Sequence, residues 1–208
     1  MSYDQKKRII DLIVATTLIL VFAPFWILIP ILILIDSGWP VIFTHKRVGK
    51  GGADFELFKF RSMVLNADEI LHQKNHKLLK KFKSGDWKIE AKEDPRITPL
   101  GRFLRSFTID EFPQLFNVLK GQMSMVGPRA YVRKELEEQS KKYPSTKKHI
   151  PYILSVKPGI TGPWQTSGRN EIPFDKRAEM DAAYAKNKNI KNDILILLRT
   201  PKAMLSKW

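Results

Sequence analysis

Residues 94–129 read DPRITPLGRFLRSFTIDEFPQLFNVLKGQMSMVGPR, and they set two adjacent carboxylates among arginines. Asp110 and Glu111 lie at the centre, Arg96, Arg102 and Arg105 precede them, and Arg129 closes the stretch on a Gly-Pro-Arg turn. An acidic pair inside such a concentration of positive charge suggests a site for phosphate and a divalent metal. Proline is well tolerated at the first helical position and drives its predecessor out of the α region, so the sequence predicts a helix starting near Pro113. Asp110 and Glu111 then fall just before that helix or within its first turn, where free N–H groups and the positive dipole end favour carboxylate and phosphate alike. A carboxylate placed there is expected to stay ionised. Beside a metal-bound phosphate it can attack phosphorus, while its neighbour offers a hard oxygen to Mg²⁺. A structural alternative competes: Thr108-Ile109-Asp110-Glu111 also fits a capping box, and these four residues by themselves favour the cap.

The chain of 208 residues has the length of one compact domain plus an attachment. Its 36 Lys and Arg against 21 Asp and Glu give a formal net charge of +15, which calls for an anionic surface or partner: nucleic acid, phospholipid headgroups or a phosphorylated substrate. Cysteine is absent, which excludes disulfides and thiolate metal sites.

After a polar lead carrying Lys6, Lys7 and Arg8, Leu12 to Ile35 contains no charged residue. As one straight helix this segment is roughly 36 Å long, against a hydrocarbon core of about 30 Å. The exit, Asp36-Ser37-Gly38-Trp39-Pro40, lacks a signal-peptide cleavage pattern, so the segment is expected to be retained. Pro24 sits midway and Pro30 follows, and an interior proline kinks a helix, which makes a re-entrant hairpin possible. Basic residues flank both ends, so charge asymmetry assigns no orientation.

Val41 to Val48 and Asp54 to Met63 read as strands joined by the turn Gly49-Lys50-Gly51-Gly52, giving a β-hairpin. Lys59 and Arg61 share one face of its second strand and can point together at a phosphate. Val64 to Phe82 reads as a helix in which His72 and His76 are solvated. Ser84 to Asp94 is a polar loop with Trp87 as an interface anchor, and Tyr131 to Tyr143 is helical. Turns rich in Gly and Pro dominate Pro158 to Gly168, where Gln165, with Arg169 and Asn170 just beyond, can read uridine or sugar hydroxyls. Ile172 to Lys186 is helical and carries Asp181. Asn192 to Trp208 mixes apolar and basic residues in a composition suited to the headgroup region.

Several motifs in this order resemble the bacterial sugar transferase family, the small monotopic polyprenyl-phosphate phosphoglycosyl transferases. They are Lys59-Phe60-Arg61-Ser62-Met63, Asp94-Pro95-Arg96-Ile97-Thr98, Gly101-Arg102-Phe103-Leu104-Arg105, Asp110-Glu111-Phe112-Pro113-Gln114-Leu115, Met123-Ser124-Met125-Val126-Gly127-Pro128-Arg129 and Lys157-Pro158-Gly159-Ile160-Thr161-Gly162. Ser167-Gly168-Arg169-Asn170 follows them. The resemblance implies a mostly helical α/β fold: a re-entrant membrane helix over residues 1–40, and one compact catalytic domain over 41–208 with a short β-hairpin and interfacial amphipathic helices. That domain would lie on the cytoplasmic face of a bacterial inner membrane.

The implied reaction transfers a sugar 1-phosphate from a UDP-sugar to a polyprenyl phosphate such as undecaprenyl phosphate, with release of UMP, as the first membrane step of a glycoconjugate pathway. The resemblance makes Asp110 the nucleophile, Glu111 the Mg²⁺ ligand, and Lys59, Arg61, Arg129, Gln165, Arg169 and Asp181 the substrate-binding residues. It implies membrane lipids as partners and no nucleic acid, and leaves homo-oligomerisation open. The family usually carries Ser-Pro at the membrane kink, where this chain has Ala23-Pro24. It has Gly162-Pro163-Trp164-Gln165 where many members have Gly-Trp-Ala-Gln, which leaves the sugar open. Two other classes fit the composition: a membrane-anchored basic module that binds a polyanion without catalysis, and a glycosyltransferase that releases UDP.

Overall fold

The computed structural model describes residues 1–87, 89–168 and 172–204. Helices dominate, with a two-stranded antiparallel hairpin and a second, shorter parallel pair of strands. The mostly helical fold with a small hairpin is the one the sequence predicts.

The apolar segment breaks where proline requires it. Helix α1 (Tyr3–Val21) ends before Phe22-Ala23-Pro24, helix α2 (Phe25–Ser37) begins after it, and the two are bent by 64°. Among the described residues no single helix is long and apolar enough to cross a membrane, while the bent pair together has that length and composition. Proline brings no N–H, so carbonyls at the end of α1 need other donors. The indole of Trp26 reaches back across the bend and donates to the Ile19 carbonyl at 3.2 Å.

Lys7, Asp11 and Ala15, spaced by four, form the buried stripe of α1. The Asp11 carboxylate accepts from Lys7 Nζ, Ser124 Oγ and the Met125 N–H, each at 3.0 Å. The Arg8 guanidinium donates to the Val118 and Leu119 carbonyls.

Strands β1 (Ile42–Val48) and β2 (Asp54–Phe60) pair with Ile42 opposite Phe60 and Val48 opposite Asp54. Phe55 and Leu57 enter a core with Leu115, Val118, Met123 and Met125, which α1 covers through Ala15. The expected helix over Val64 to Phe82 is instead a short helical turn, a π-turn (Ile70–Lys74) and helix α3 (His76–Ser84). Asn75 interrupts it, because its side chain accepts the Leu78 N–H and so caps a new helix.

Helix α4 (Pro99–Ser106) follows, capped by Thr98, whose hydroxyl accepts the Gly101 N–H at 2.9 Å. Helix α5 (Gln114–Leu119) starts after Pro113 as expected. Strand β3 (Ser124–Val126) lies parallel to β4 (Gly159–Thr161), a pairing not anticipated from the turn-rich composition of the second segment. The approach behind them is too close for side chains. A Cβ on Gly127 would lie 2.5 Å from the Lys157 carbonyl oxygen, and one on Gly159 would lie 2.1 Å from the Gly127 nitrogen. Glycine at both positions therefore brings the Gly-Pro-Arg turn against the Lys-Pro-Gly block.

Helix α6 (Arg133–Lys142), a short helix α7 (Ile150–Ile153), α8 (Phe174–Lys186) and α9 (Ile190–Met204) complete the described chain. Tyr131, Leu136, Phe174 and Ala178 form a second core there. Phe103 and Phe107 at α4, and Ile194, Leu195 and Leu198 on α9, remain exposed, as do Ile27, Leu28 and Ile31 on α2.

Candidate active site

Asp110 and Glu111 occupy a 3₁₀ turn, Ile109–Glu111, one residue before Phe112-Pro113 and ahead of α5. The capping-box reading fails on backbone geometry. An N-cap residue is ordinarily extended, whereas Thr108 sits at φ 59°, ψ 19° in the left-handed region. That conformation turns the chain sharply and drives the Asp110 side chain inward, where it is 3% exposed.

Lys59 on β2 meets both carboxylates. Its ammonium donates to Glu111 Oε1 at 2.6 Å and stands 3.6 Å from Asp110 Oδ2. The second oxygen, Asp110 Oδ1, is buried and has no hydrogen-bond partner among the described residues. Burial pushes the Asp110 carboxyl above its usual range; the charges of Lys59 and Arg105 oppose this, and that of Glu111 adds to it. Desolvation thus outweighs the neighbouring cations and shifts Asp110 in the direction opposite to that expected of a helix start. Its unpartnered oxygen and the hard carboxylate of Glu111 suit a Mg²⁺ ion, which commonly takes one or two protein carboxylates together with substrate phosphate.

The arginines upstream divide. Arg96 is held by Asp94 in a bidentate pair at 2.8 and 2.7 Å, both residues buried, and so braces the loop. Arg105 donates to Ser62 Oγ at 2.8 Å and its charge reaches Asp110. Arg102 is exposed. Arg61, expected beside Lys59 at the phosphate, turns instead to the end of α2. Its guanidinium donates to the carbonyls of Ser37 and Gly38 and to Ser37 Oγ. The reason is physical: β2 ends at Phe60, so the alternation that put Arg61 on the face of Lys59 stops one residue early, and orphan carbonyls at the α2 terminus attract a cation.

Arg129 lies in a separate, deeply packed cluster. Its N–H donates to Asp181 Oδ2 at 3.0 Å, its Nε is 3.9 Å from Glu135 Oε1, and its guanidinium lies 5.4 Å from the centre of the Trp164 ring. Asp181 also accepts from the Tyr131 hydroxyl at 3.0 Å, and burial pushes its carboxyl up to about 7. Gln165 has a buried Oε1 with no hydrogen-bond partner among the described residues. Arg169, the remaining predicted binding residue, lies outside the described residues.

The hairpin joins the two groups. Opposite residues of an antiparallel pair share a face, so Phe43 and Lys59, His45 and Leu57, and Arg47 and Phe55 all face the same side. Lys59 at one end serves the acidic pair. Arg47 at the other donates to the Ala130 carbonyl at 2.9 Å, immediately beside Arg129. Between them His45 is driven down to about 4 by burial and by the charges of Arg47 and Lys59, and is neutral at pH 7. Arg47, Glu135 and the fully buried Arg177 were not singled out from the sequence. The period-two alternation that placed Lys59 also places Arg47 once the strand register is known; nothing local marks the other two.

The sequence profile described as bacterial sugar transferase matches residues 2–207. This chain belongs to the bacterial sugar transferase family. It is 42% identical over 203 residues to the undecaprenyl-phosphate galactose phosphotransferase of Salmonella typhimurium, covering 97% of this chain and 40% of that protein. The exopolysaccharide production protein ExoY of Rhizobium meliloti is 36% identical over 206 residues, covering 98% and 87%. A UDP-N-acetylgalactosamine-undecaprenyl-phosphate N-acetylgalactosaminephosphotransferase from Aeromonas hydrophila is 34% identical over 207 residues, covering 98% and 44%. The chain thus spans less than half of two of these relatives and most of ExoY. The family match runs through both the bent apolar helices and the domain packed on them.

Proposed function

We propose that this protein transfers a sugar 1-phosphate from a UDP-sugar to a polyprenyl phosphate, releasing UMP, through a phospho-sugar intermediate on Asp110. Relatives named for galactose and N-acetylgalactosamine phosphotransfer to undecaprenyl phosphate support a hexose or N-acetylhexosamine donor and an undecaprenyl acceptor. The observation that carries the reading is Asp110 Oδ1: a buried carboxylate oxygen without a hydrogen-bond partner among the described residues, next to a cation and a second carboxylate. A purely structural acid would have used that oxygen.

In the first step a carboxylate oxygen of Asp110 attacks the sugar-bearing phosphorus. The bond from that phosphorus to the bridging oxygen breaks, and UMP leaves with the electron pair. In the second, an oxygen of the lipid phosphate attacks the same phosphorus and the bond to Asp110 breaks, restoring the carboxylate. Lys59 holds Asp110 and Glu111 close together against their mutual repulsion and offers positive charge to the transferred group. Arg129 presents a planar guanidinium to phosphate, its backbone fixed by Asp181. Mg²⁺, held by Glu111 and by the donor's own phosphates, would supply charge neutralisation for the leaving UMP.

The same reading places the protein on the cytoplasmic face of a bacterial inner membrane, with α1 and α2 as a re-entrant pair and the exposed apolar faces of α4 and α9 in the interface. The 64° bend supports it, as do the hydrogen bonds that tie the start of α1 to the domain. Purified protein, Mg²⁺, polyprenyl phosphate and a panel of UDP-sugars test the reaction. UMP release is expected; UDP release would make it a glycosyltransferase, and no nucleotide release with any donor would leave a polyanion-binding module.

A further inference from the structure

The cluster around Arg129 holds guanidinium donors that no neighbour among the described residues satisfies. Arg47, Arg129 and Arg177 bring three guanidinium charges together, with Arg129 acting on both Arg47 and Arg177. Glu135 faces all three, Glu111 reaches Arg47, Asp86 reaches Arg177, and Asp181 accepts from the Arg129 main-chain N–H. Several buried nitrogens there, Arg47 Nε, Arg129 Nε and all three of Arg177, lack a hydrogen-bond partner among the described residues. Buried N–H groups of cations are ordinarily satisfied, so the open guanidinium donors of Arg47 and Arg129 suit a bound anion.

Arg47 has the position to contact such an anion. Arg177 is 0% exposed and sits behind the Trp164 and Phe174 rings, which leaves it supporting the others. Arg47 is half-buried, and its backbone is locked to the Arg129 segment: Val48 N–H donates to the Tyr131 carbonyl at 2.9 Å while Arg47 itself holds the Ala130 carbonyl. It shares a hairpin face with Lys59, which holds Glu111, and it donates to the carbonyl next to Arg129, so it lies between the acidic pair and the arginine cluster.

We propose that Arg47 is a second phosphate-binding residue, and that Arg47 and Arg129 together grip the diphosphate of the nucleotide donor. This rests on the phosphotransfer reading above and extends it to a residue on the opposite strand from Lys59. Two guanidiniums on adjoining segments match two linked phosphates. The lipid acceptor carries a single phosphate, so the pair favours the donor over it.

Binding of UDP, UMP and inorganic pyrophosphate in the presence of Mg²⁺, measured calorimetrically on the full chain in detergent, tests this. Arg47→Gln is expected to weaken UDP and pyrophosphate by about tenfold or more and UMP distinctly less, since one of two charge-assisted grips is lost. Arg47→Lys, which keeps the charge and spares the fold, should fall between. Arg133→Gln removes an exposed cation that pairs with Asp54 at the end of the same hairpin, and is expected to leave all three affinities within about twofold. Equal losses for UMP and UDP would refute the diphosphate grip, as would an unchanged UDP affinity in both Arg47 variants. A wild-type protein that binds no UDP would instead overturn the donor reading itself, so the two failures are told apart.

Discussion

The main-chain N–H of Arg129 donates to the Asp181 carboxylate across 3.0 Å, fastening a turn to a helix 52 residues further along the chain. The contact has a pH signature, because burial raises Asp181 from 3.8 to about 7. Below pH 3.8 both folded and unfolded chains hold the proton. Between 3.8 and about 7 the folded protein binds it more strongly, so stability falls as pH rises, and above about 7 the loss is complete. The full effect is on the order of 4 kcal/mol. Asp181→Asn keeps an acceptor for Arg129 and Tyr131 but cannot titrate. Melting temperatures at pH 5 and pH 8 are expected to differ less in the mutant than in the wild type; equal differences would assign the titration elsewhere.

Asp110→Asn separates chemistry from folding. The change abolishes the nucleophile, so turnover should fall by at least about a thousandfold. It also removes a carboxyl whose folded value is raised by burial, so the mutant's melting temperature should gain on that of wild type as pH rises above the ordinary carboxylate range. With donor alone, the wild-type protein is expected to gain the mass of one sugar phosphate on Asp110 and the mutant none.

Lys59→Met leaves the two carboxylates facing each other without their cation. Removing one partner of such a buried pair costs about 3–5 kcal/mol when fully desolvated, and Lys59 is about a quarter exposed, so a loss of about 1–3 kcal/mol is expected. A divalent ion can take up the unbalanced negative charge. Mg²⁺ should therefore raise the melting temperature of Lys59→Met by several degrees more than that of wild type, and an identical Mg²⁺ response in the two proteins would show that the metal binds away from this pair.

Arg61 and Arg129 should fail in different ways. Arg61→Met removes the cation at the end of α2 and is expected to lower stability by about 1–3 kcal/mol while leaving the KM for donor within about twofold. Arg129→Lys keeps charge but loses the planar fork, so kcat/KM should drop by about tenfold or more with little change in melting temperature. The reverse pattern would restore Arg61 to the phosphate and demote Arg129 to a brace.

The acidic pair, Lys59 and the proline break at residue 24 were legible because each depends on local chemistry: adjacent charges, a strand's alternation, a missing N–H. Arg61 misled because that alternation was extended one residue past the strand's real end. The capping box misled because Thr-x-x-Glu spacing carries no information about the sign of φ at Thr108. Glu135 and Arg177 stayed hidden for another reason. Both sit on helices rich in charge, and only the packing of those helices shows which charges turn inward. The parallel pair β3 and β4 is a contact between segments too short to show any period.

Topology is open to labelling because the chain has no cysteine of its own. Single cysteines at Ser2 and at the exposed Ser145 are expected to be protected in intact cells and labelled in inverted vesicles, both together. Opposite accessibility would mean a true crossing between them. Pro24→Leu favours a continuous helix, so part of the Ser2 population should then reach the outer face; no change would mean that the contacts of α1 with the domain, not the proline, hold the bend.

Those contacts make the first helix unlike an interchangeable tether. Asp11 Oδ1 accepts from Ser124, Met125 and Lys7, and Tyr3 donates to the buried Asp193 at 2.8 Å, so the helix contributes side chains that satisfy polar groups of the interior. An unrelated apolar helix grafted in its place could still disrupt the site, by leaving Asp193 with Tyr184 alone and the strand leading to Arg129 without its partner. A detergent that competes for α1 should likewise inactivate before it denatures. Attachment and assembly of the site are then one equilibrium, and a solubilised form worth engineering would keep residues 3–11 and alter only the outward faces beyond them.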